Sequence, residues 1–132
     1  MSRPKHEYPT PGELEVLRIL WQKSPLTVRE VREALNRRRP RAYTSVMSLL
    51  GVMTEKGFLT RKPAGRAFAY SAKAGRTKTM RRMLADLLGR AFEGSASLLV
   101  AHLLEEANPN SEELAVIRRT LAEYEEQQES PR

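Results

Sequence analysis

The sequence predicts a mainly α fold in two parts. One is a small N-terminal domain of three helices closed by a β-hairpin. The other is a C-terminal helical region. Three observations carry this expectation. Two Thr-x-x-Glu capping boxes open the first two helices, at Thr10-Pro11-Gly12-Glu13 and Thr27-Val28-Arg29-Glu30. Two short β-prone runs flank a Pro/Gly turn between Phe58 and Ser71. From Ala74 onward, apolar residues recur only at helical spacing.

Residues 1–9 are polar with two prolines and predict a loose arm. Pro11 at the first helical position then starts a helix to about Gln22. Leu14, Leu17, Leu20 and Trp21 form its inward stripe, widened by Val16 and Ile19. Trp21 fits core packing better than a stacking platform. After Pro25, Leu26 is placed to form a short strand against the later hairpin. The second helix turns Val28, Val31, Ala34 and Leu35 inward and ends near Asn36 or Arg37.

The chain is organised around residues 41–57. Val46, Leu49, Leu50 and Met53 fall on one helical face. The other face begins with Arg41, Thr44, Ser45 and Ser48 and meets no acid until Glu55. Gly57 after Lys56 is a helix stop. A helix with a small, polar, acid-free outer face can enter the major groove of DNA, where first-turn side chains meet base edges. Taken alone, the stretch reads equally well as the surface helix of a globular domain.

The charge distribution decides between these readings. The net charge of +7 conceals 20 Lys/Arg against 7 Asp/Glu in residues 1–92, a balance of +13, and 3 against 9 in residues 93–132, a balance of −6. A basic front with an acidic tail points to nucleic acid as the partner of the front. A merely solvated basic surface would not segregate its charge by segment.

Helix, helix, reading helix and basic-tipped hairpin together make a winged helix-turn-helix, spanning residues 10–73. Base readout is expected from Thr44, Ser45 and Ser48. Backbone contacts are expected from Arg38, Arg39, Arg41 and Tyr43 around the entry to the reading helix, and from Arg61, Lys62 and Arg66 at the wing tip. Phe68 and Tyr70 alternate onto one strand face, and packing on the helices suits them better than base stacking.

Residues 74–128 predict a helical dimerisation region, with 129–132 as a frayed tail. A helix over Thr79–Phe92 ends at Gly94. Ser95 opens a second, to Glu106. Asn110 caps a third, to Gln128, in which Leu114, Ile117, Leu121 and Tyr124 recur like a coiled-coil stripe. Helices this apolar have no sheet to cover, and a second copy of the chain is the simplest partner. Leu87, Leu88, Leu99, Leu103, Leu114, Ile117 and Leu121 are the expected interface; folding back as a monomer is the alternative.

No cysteine is present, so no disulfide, thiolate metal site or cysteine nucleophile can form. His6 and His102 stand far apart with no metal-ligand spacing, and no cofactor or metal is expected. There is no nucleophile elbow, phosphate-cradling glycine loop or paired-carboxylate pattern, so an enzyme is not expected. No apolar run approaches the roughly 18 residues of a membrane span, and no apolar leader opens the chain, which points to the cytoplasm and away from membrane insertion.

Pro11-Gly-Glu-Leu-Glu-Val-Leu-Arg-Ile-Leu-Trp21, Thr27-Val-Arg-Glu-Val-Arg-Glu-Ala-Leu35, Ala42-Tyr-Thr-Ser-Val46, Glu55-Lys-Gly57, Gly65-Arg-Ala-Phe-Ala-Tyr70 and Gly94-Ser-Ala-Ser-Leu-Leu-Val-Ala-His-Leu-Leu104 resemble the penicillinase-repressor family of BlaI, MecI and CopY types. The ordered set spans roughly residues 10–124. The resemblance implies a homodimeric bacterial repressor on an inverted-repeat operator in double-stranded DNA. It places Thr44, Ser45 and Ser48 on the reading helix and Arg61 to Arg66 on the wing. In antibiotic-responsive members, a membrane sensor–protease pathway leads to a cut at an Asn-Phe bond in the dimerisation helices. The matching bond here is His102-Leu103. The cysteine-based metal binding of copper-responsive members does not carry over.

Two other classes compete. A protein-binding winged-helix module would not need a basic N-terminal half. A one-component regulator with a small-molecule pocket would show a polar cluster, unless its ligand were apolar.

Overall fold

The structure is a computed structural model, and it describes residues 8–129. The chain order is α1 (Pro11–Gln22), β1 (Leu26–Thr27), α2 (Val28–Leu35), α3 (Tyr43–Glu55), β2 (Leu59–Ala64), β3 (Ala67–Ala72), α4 (Arg76–Ala91), α5 (Ala96–Ala107) and α6 (Ser111–Glu129).

Both capping boxes form. Thr10 N donates to Glu13 Oε1 at 2.9 Å while Glu13 N donates to Thr10 Oγ1 at 3.2 Å. Thr27 and Glu30 repeat the exchange at 3.0 and 3.3 Å. Each box satisfies N-terminal donors that the helix itself leaves unpaired. At the other end of α3, Gly57 adopts φ 87°, and Phe58 N donates back to Met53 O at 2.9 Å. That left-handed step ends the helix and turns the chain into β2.

The three strands form an antiparallel sheet in the order β1-β3-β2. Leu26 pairs with Tyr70, so the expected short strand before α2 does join the hairpin. Gly65 at φ 65° makes the tight turn between β2 and β3. Val16, Leu17, Leu20, Val28, Val31, Leu35, Val46, Leu50, Met53, Leu59 and Tyr70 interlock as the core.

Phe68 corrects a sequence expectation. Tyr70 is buried, but Phe68 is 40 % exposed. In the register Tyr70 lies opposite Leu26, over the helices, whereas Phe68 lies opposite Pro63 near the turn, beyond their reach. On α1, Glu13 occupies a core position that the apolar stripe did not include, and Leu14 and Trp21 are only half-buried.

The boundaries also shift. Pro9 is buried, so the expected arm ends before it; residues 1–7 lie outside the described residues. The fourth helix begins at Arg76 rather than Thr79. Thr79 is buried, and its N and Oγ1 both reach Gly75 O, at 3.1 and 3.0 Å. Trp21 Nε1 donates to Ala74 O at 3.0 Å, tying this segment to α1. The compact units divide between Asp86 and Leu87, within α4. Glu129 is helical rather than frayed, and residues 130–132 lie outside the described residues.

In the second unit, Ser95 caps α5 through Leu98 N at 3.2 Å, and Asn110 caps α6 through Glu113 N at 2.8 Å. Neither helix has a buried residue. Among the described residues, no single helix is long and apolar enough to cross a membrane.

Candidate nucleic-acid interface

The site is built on α3. Val46, Leu50 and Met53 hold its inner face in the core. Thr44, Ser45 and Ser48 are exposed on the outer face. Met47 (47 % exposed) and Val52 (42 %) join them, an apolar pair that the expectation of hydroxyl readout did not include. The signal was present: the 46-49-50-53 stripe leaves 47 and 52 pointing outward. Ala42, at the N-cap, makes no side-chain cap, and the first turn has no acid. The positive end of the helix dipole therefore meets no carboxylate from its own first turn.

In the turn before α3, Arg41 is committed inward. Arg41 Nη2 donates to Glu15 Oε2 at 2.7 Å, Nη1 donates to Leu35 O at 3.1 Å, and its N–H donates to Asn36 Oδ1 at 2.8 Å. Arg32 Nε donates to Arg41 O at 2.9 Å. The Arg41 side chain is only 14 % exposed and its guanidinium is already paired, whereas the sequence suggested a phosphate contact. Its neighbours differ. Arg38 and Arg39 are exposed, Arg38 on the rim of an open cleft between α1 and α2. Tyr43, the first residue of α3, is also exposed.

The far end of α3 is tied to the same helix. Lys56 Nζ lies 2.9 Å from Glu13 Oε2, and Glu13 is 2 % exposed. Burial pushes the Glu13 carboxyl up. The Thr10 backbone N–H, the Lys56 ammonium and the Thr10 hydroxyl outweigh it and hold the group below its ordinary value.

At the wing, Arg61, Lys62 and Arg66 are all exposed. The Arg61 guanidinium stacks 4.1 Å from the Phe68 ring centroid. This explains an exposed phenylalanine without a core role: it orients a cation by cation–π attraction.

The expected interface leucines all lie on the C-terminal helices, and none is buried. Leu87, Leu103 and Leu121 are exposed, while Leu88, Leu99, Leu114 and Ile117 are half-buried. His102 and Leu103 sit inside α5, with the His102 ring 5.6 Å from Phe92. Among the described residues, no three His, Asp or Glu side chains are placed to hold a metal ion.

Known proteins share this organisation. The penicillinase repressor family model matches residues 9–123. The transcriptional regulator BlaI of Mycobacterium tuberculosis (strain CDC 1551 / Oshkosh) is 36 % identical over 118 residues, covering 86 % of this chain and 84 % of that protein. The penicillinase repressor of Bacillus licheniformis is 24 % identical, covering 86 % and 88 %. In fold, the chain is similar to the oxidized form of MarR from E. coli, with a TM-score of 0.51 at 16 % identity over 88 % of this chain and 75 % of that one. With nearly its whole length matched, the chain belongs to the penicillinase repressor family.

Proposed function

We propose that the chain is a transcriptional repressor that binds an inverted-repeat operator in duplex DNA as a homodimer. The observation that carries this reading is the outer face of α3. It is acid-free through its first three turns, carries Thr44, Met47, Ser48 and Val52, and is followed by a wing with three exposed cations. Hydroxyls exchange hydrogen bonds with base edges, and apolar side chains meet the thymine methyl. Arg39, Arg61, Lys62 and Arg66 supply the sequence-independent hold on phosphates.

The exposed apolar residues of α5 and α6 support the homodimer. Leu103 is 51 % exposed and Leu121 58 %, on helices without a buried residue of their own. A twofold partner would cover them and bring two reading helices to two half-sites. Derepression through a membrane sensor–protease pathway would need the His102-Leu103 bond to leave its helical conformation, because that bond lies in the interior of α5.

The test is duplex binding against salt. Neutralising about 6–10 phosphates predicts an affinity loss on the order of 10³–10⁵-fold between about 50 and 200 mM salt. Binding that ignores salt would exclude the reading.

A further inference from the structure

The first turns of α4 carry a second basic surface that the reading helix and wing do not account for. Between Glu33 and Asp86 the chain contains 13 Lys/Arg and a single acid, Glu55. Five of those cations, Lys73, Arg76, Lys78, Arg81 and Arg82, follow the wing. All five are exposed, and none is ion-paired among the described residues. Thr77, Lys78, Arg81, Arg82 and Ala85 line one shallow depression, so Lys78, Arg81 and Arg82 share a helix face. Helical spacing puts that face away from Met80, Leu84 and Leu87.

The placement of these charges is unfavourable for the helix itself. The first turn of α4 has no acid, and cations gather near the end where the helix dipole is already positive. Burial does not explain them, and neither do ion pairs. A polyanion would relieve both the dipole and the mutual repulsion. The surface is also held firmly: the Trp21 bond to Ala74 O, the bond from Lys73 N to Phe58 O at 2.9 Å and buried Thr79 fix it to the unit that carries α3 and the wing.

We infer that Lys78, Arg81 and Arg82 form a second phosphate-binding surface for duplex DNA, separate from α3 and the wing. It reads no sequence and adds electrostatic hold. Lys78 to Arg82 span about 6 Å of helix, close to two base-pair rises of about 3.4 Å measured along the duplex axis. DNA is favoured over an acidic protein segment because the surface belongs to the same compact unit as α3. The inference rests on the DNA-binding reading above.

The experiment compares the full-length protein with the Lys78→Gln/Arg81→Gln/Arg82→Gln variant and with Arg61→Ala. Each is titrated against salt on a random-sequence duplex of about 40 base pairs, close to four helical turns. Glutamine has nearly the helix propensity of Lys and Arg, and a circular-dichroism melt checks that the variant folds. The expected result is a salt slope shallower by about 0.9 for each phosphate no longer neutralised, with relative preference among sequences kept. A slope equal to the unmodified protein's, with Arg61→Ala still lowering it, overturns this surface alone and leaves an acidic protein segment as its partner. If the unmodified protein shows no salt-dependent binding, both readings fall. A variant that melts early is replaced by Arg81→Gln alone, whose unchanged slope counts equally against the surface.

Discussion

The Arg41 guanidinium lies 2.7 Å from the Glu15 carboxylate, and through that pair the entry to α3 is pinned to α1. The same guanidinium closes the C-terminus of α2 by donating to Leu35 O. Arg41 thus locks three helices at one point. Hydrogen bonds to charged groups contribute about 1.5–3 kcal/mol when largely shielded from solvent. Arg41→Ala should lower the unfolding free energy by about that much in urea titration, while Arg39→Ala should leave it within about 0.5 kcal/mol. On DNA the order reverses: Arg39→Ala should reduce the salt slope directly. An Arg41→Ala protein of full stability with a reduced slope would return Arg41 to the phosphate-contacting set.

Glu13 and Lys56 predict the acid limit of stability. The Glu13 carboxyl sits below its ordinary value of 4.5 in the folded protein. A depressed carboxyl contributes stability that is complete above the unfolded value and is lost as pH falls through the folded one. The urea midpoint should therefore hold near neutrality and fall once pH drops below about 4.5. Glu30, held down by the Thr27 backbone N–H, works in the same direction. Glu13→Gln should start lower and show a flatter acid profile. Parallel profiles for the two proteins would remove the buried pair as the cause.

These pairs also show what could be read from the sequence and what could not. The capping boxes were legible because Thr10–Glu13 and Thr27–Glu30 are three residues apart and act locally. The inner stripe of α3 was legible from its period. Arg41 was not, because its partner Glu15 lies 26 residues away and only the packing of α1 brings it near. Alternation put Phe68 and Tyr70 on one face, but it carries no information on how far the helices extend beneath the sheet. The start of α4 had no cap to announce it. The segment just before it is anchored instead by Trp21, whose Nε1 donates to Ala74 O across 53 residues of chain.

The wing should act without regard to sequence. Arg66→Ala should weaken binding to every duplex alike and reduce the salt slope by about 0.9. Phe68→Ala should mimic part of Arg61→Ala, since an exposed cation–π contact is worth about 0.5–1 kcal/mol. Competition binding on matched and mismatched operators measures both. A loss confined to one base pair would make the wing a base reader.

Specificity should reside on α3. Substituting Ser48 should change discrimination by about 1–3 kcal/mol at the base pair it meets. Met47→Ala and Val52→Ala, on the same face, should relax preference at thymines, because each removes an apolar partner for the C5-methyl. Selection from a randomised half-site, repeated for each variant, reads these effects. Uniform loss across all positions would place the residues on the backbone instead.

Truncation within α5 tests the C-terminal unit. A chain ending at His102 loses Leu103, Leu104 and all of α6, including Leu114, Ile117 and Leu121. Each leucine that a partner chain would bury carries about 1.5–3 kcal/mol of transfer free energy, so association should fail. The core from Val16 to Tyr70 lies wholly in the N-terminal unit and should persist. A dimer holding two half-sites gains about 10²–10⁴ in avidity from effective concentration. Operator occupancy should therefore collapse although every residue of α3 and the wing is intact. Sedimentation and operator binding of residues 1–102 beside the full chain test this. A truncated protein that remains dimeric and binds a full operator as tightly would show that α6 is not what joins the half-sites. Leu121→Glu in the full chain supplies the check: it keeps every helix, places a charge where a partner would be, and should lower occupancy in the same direction.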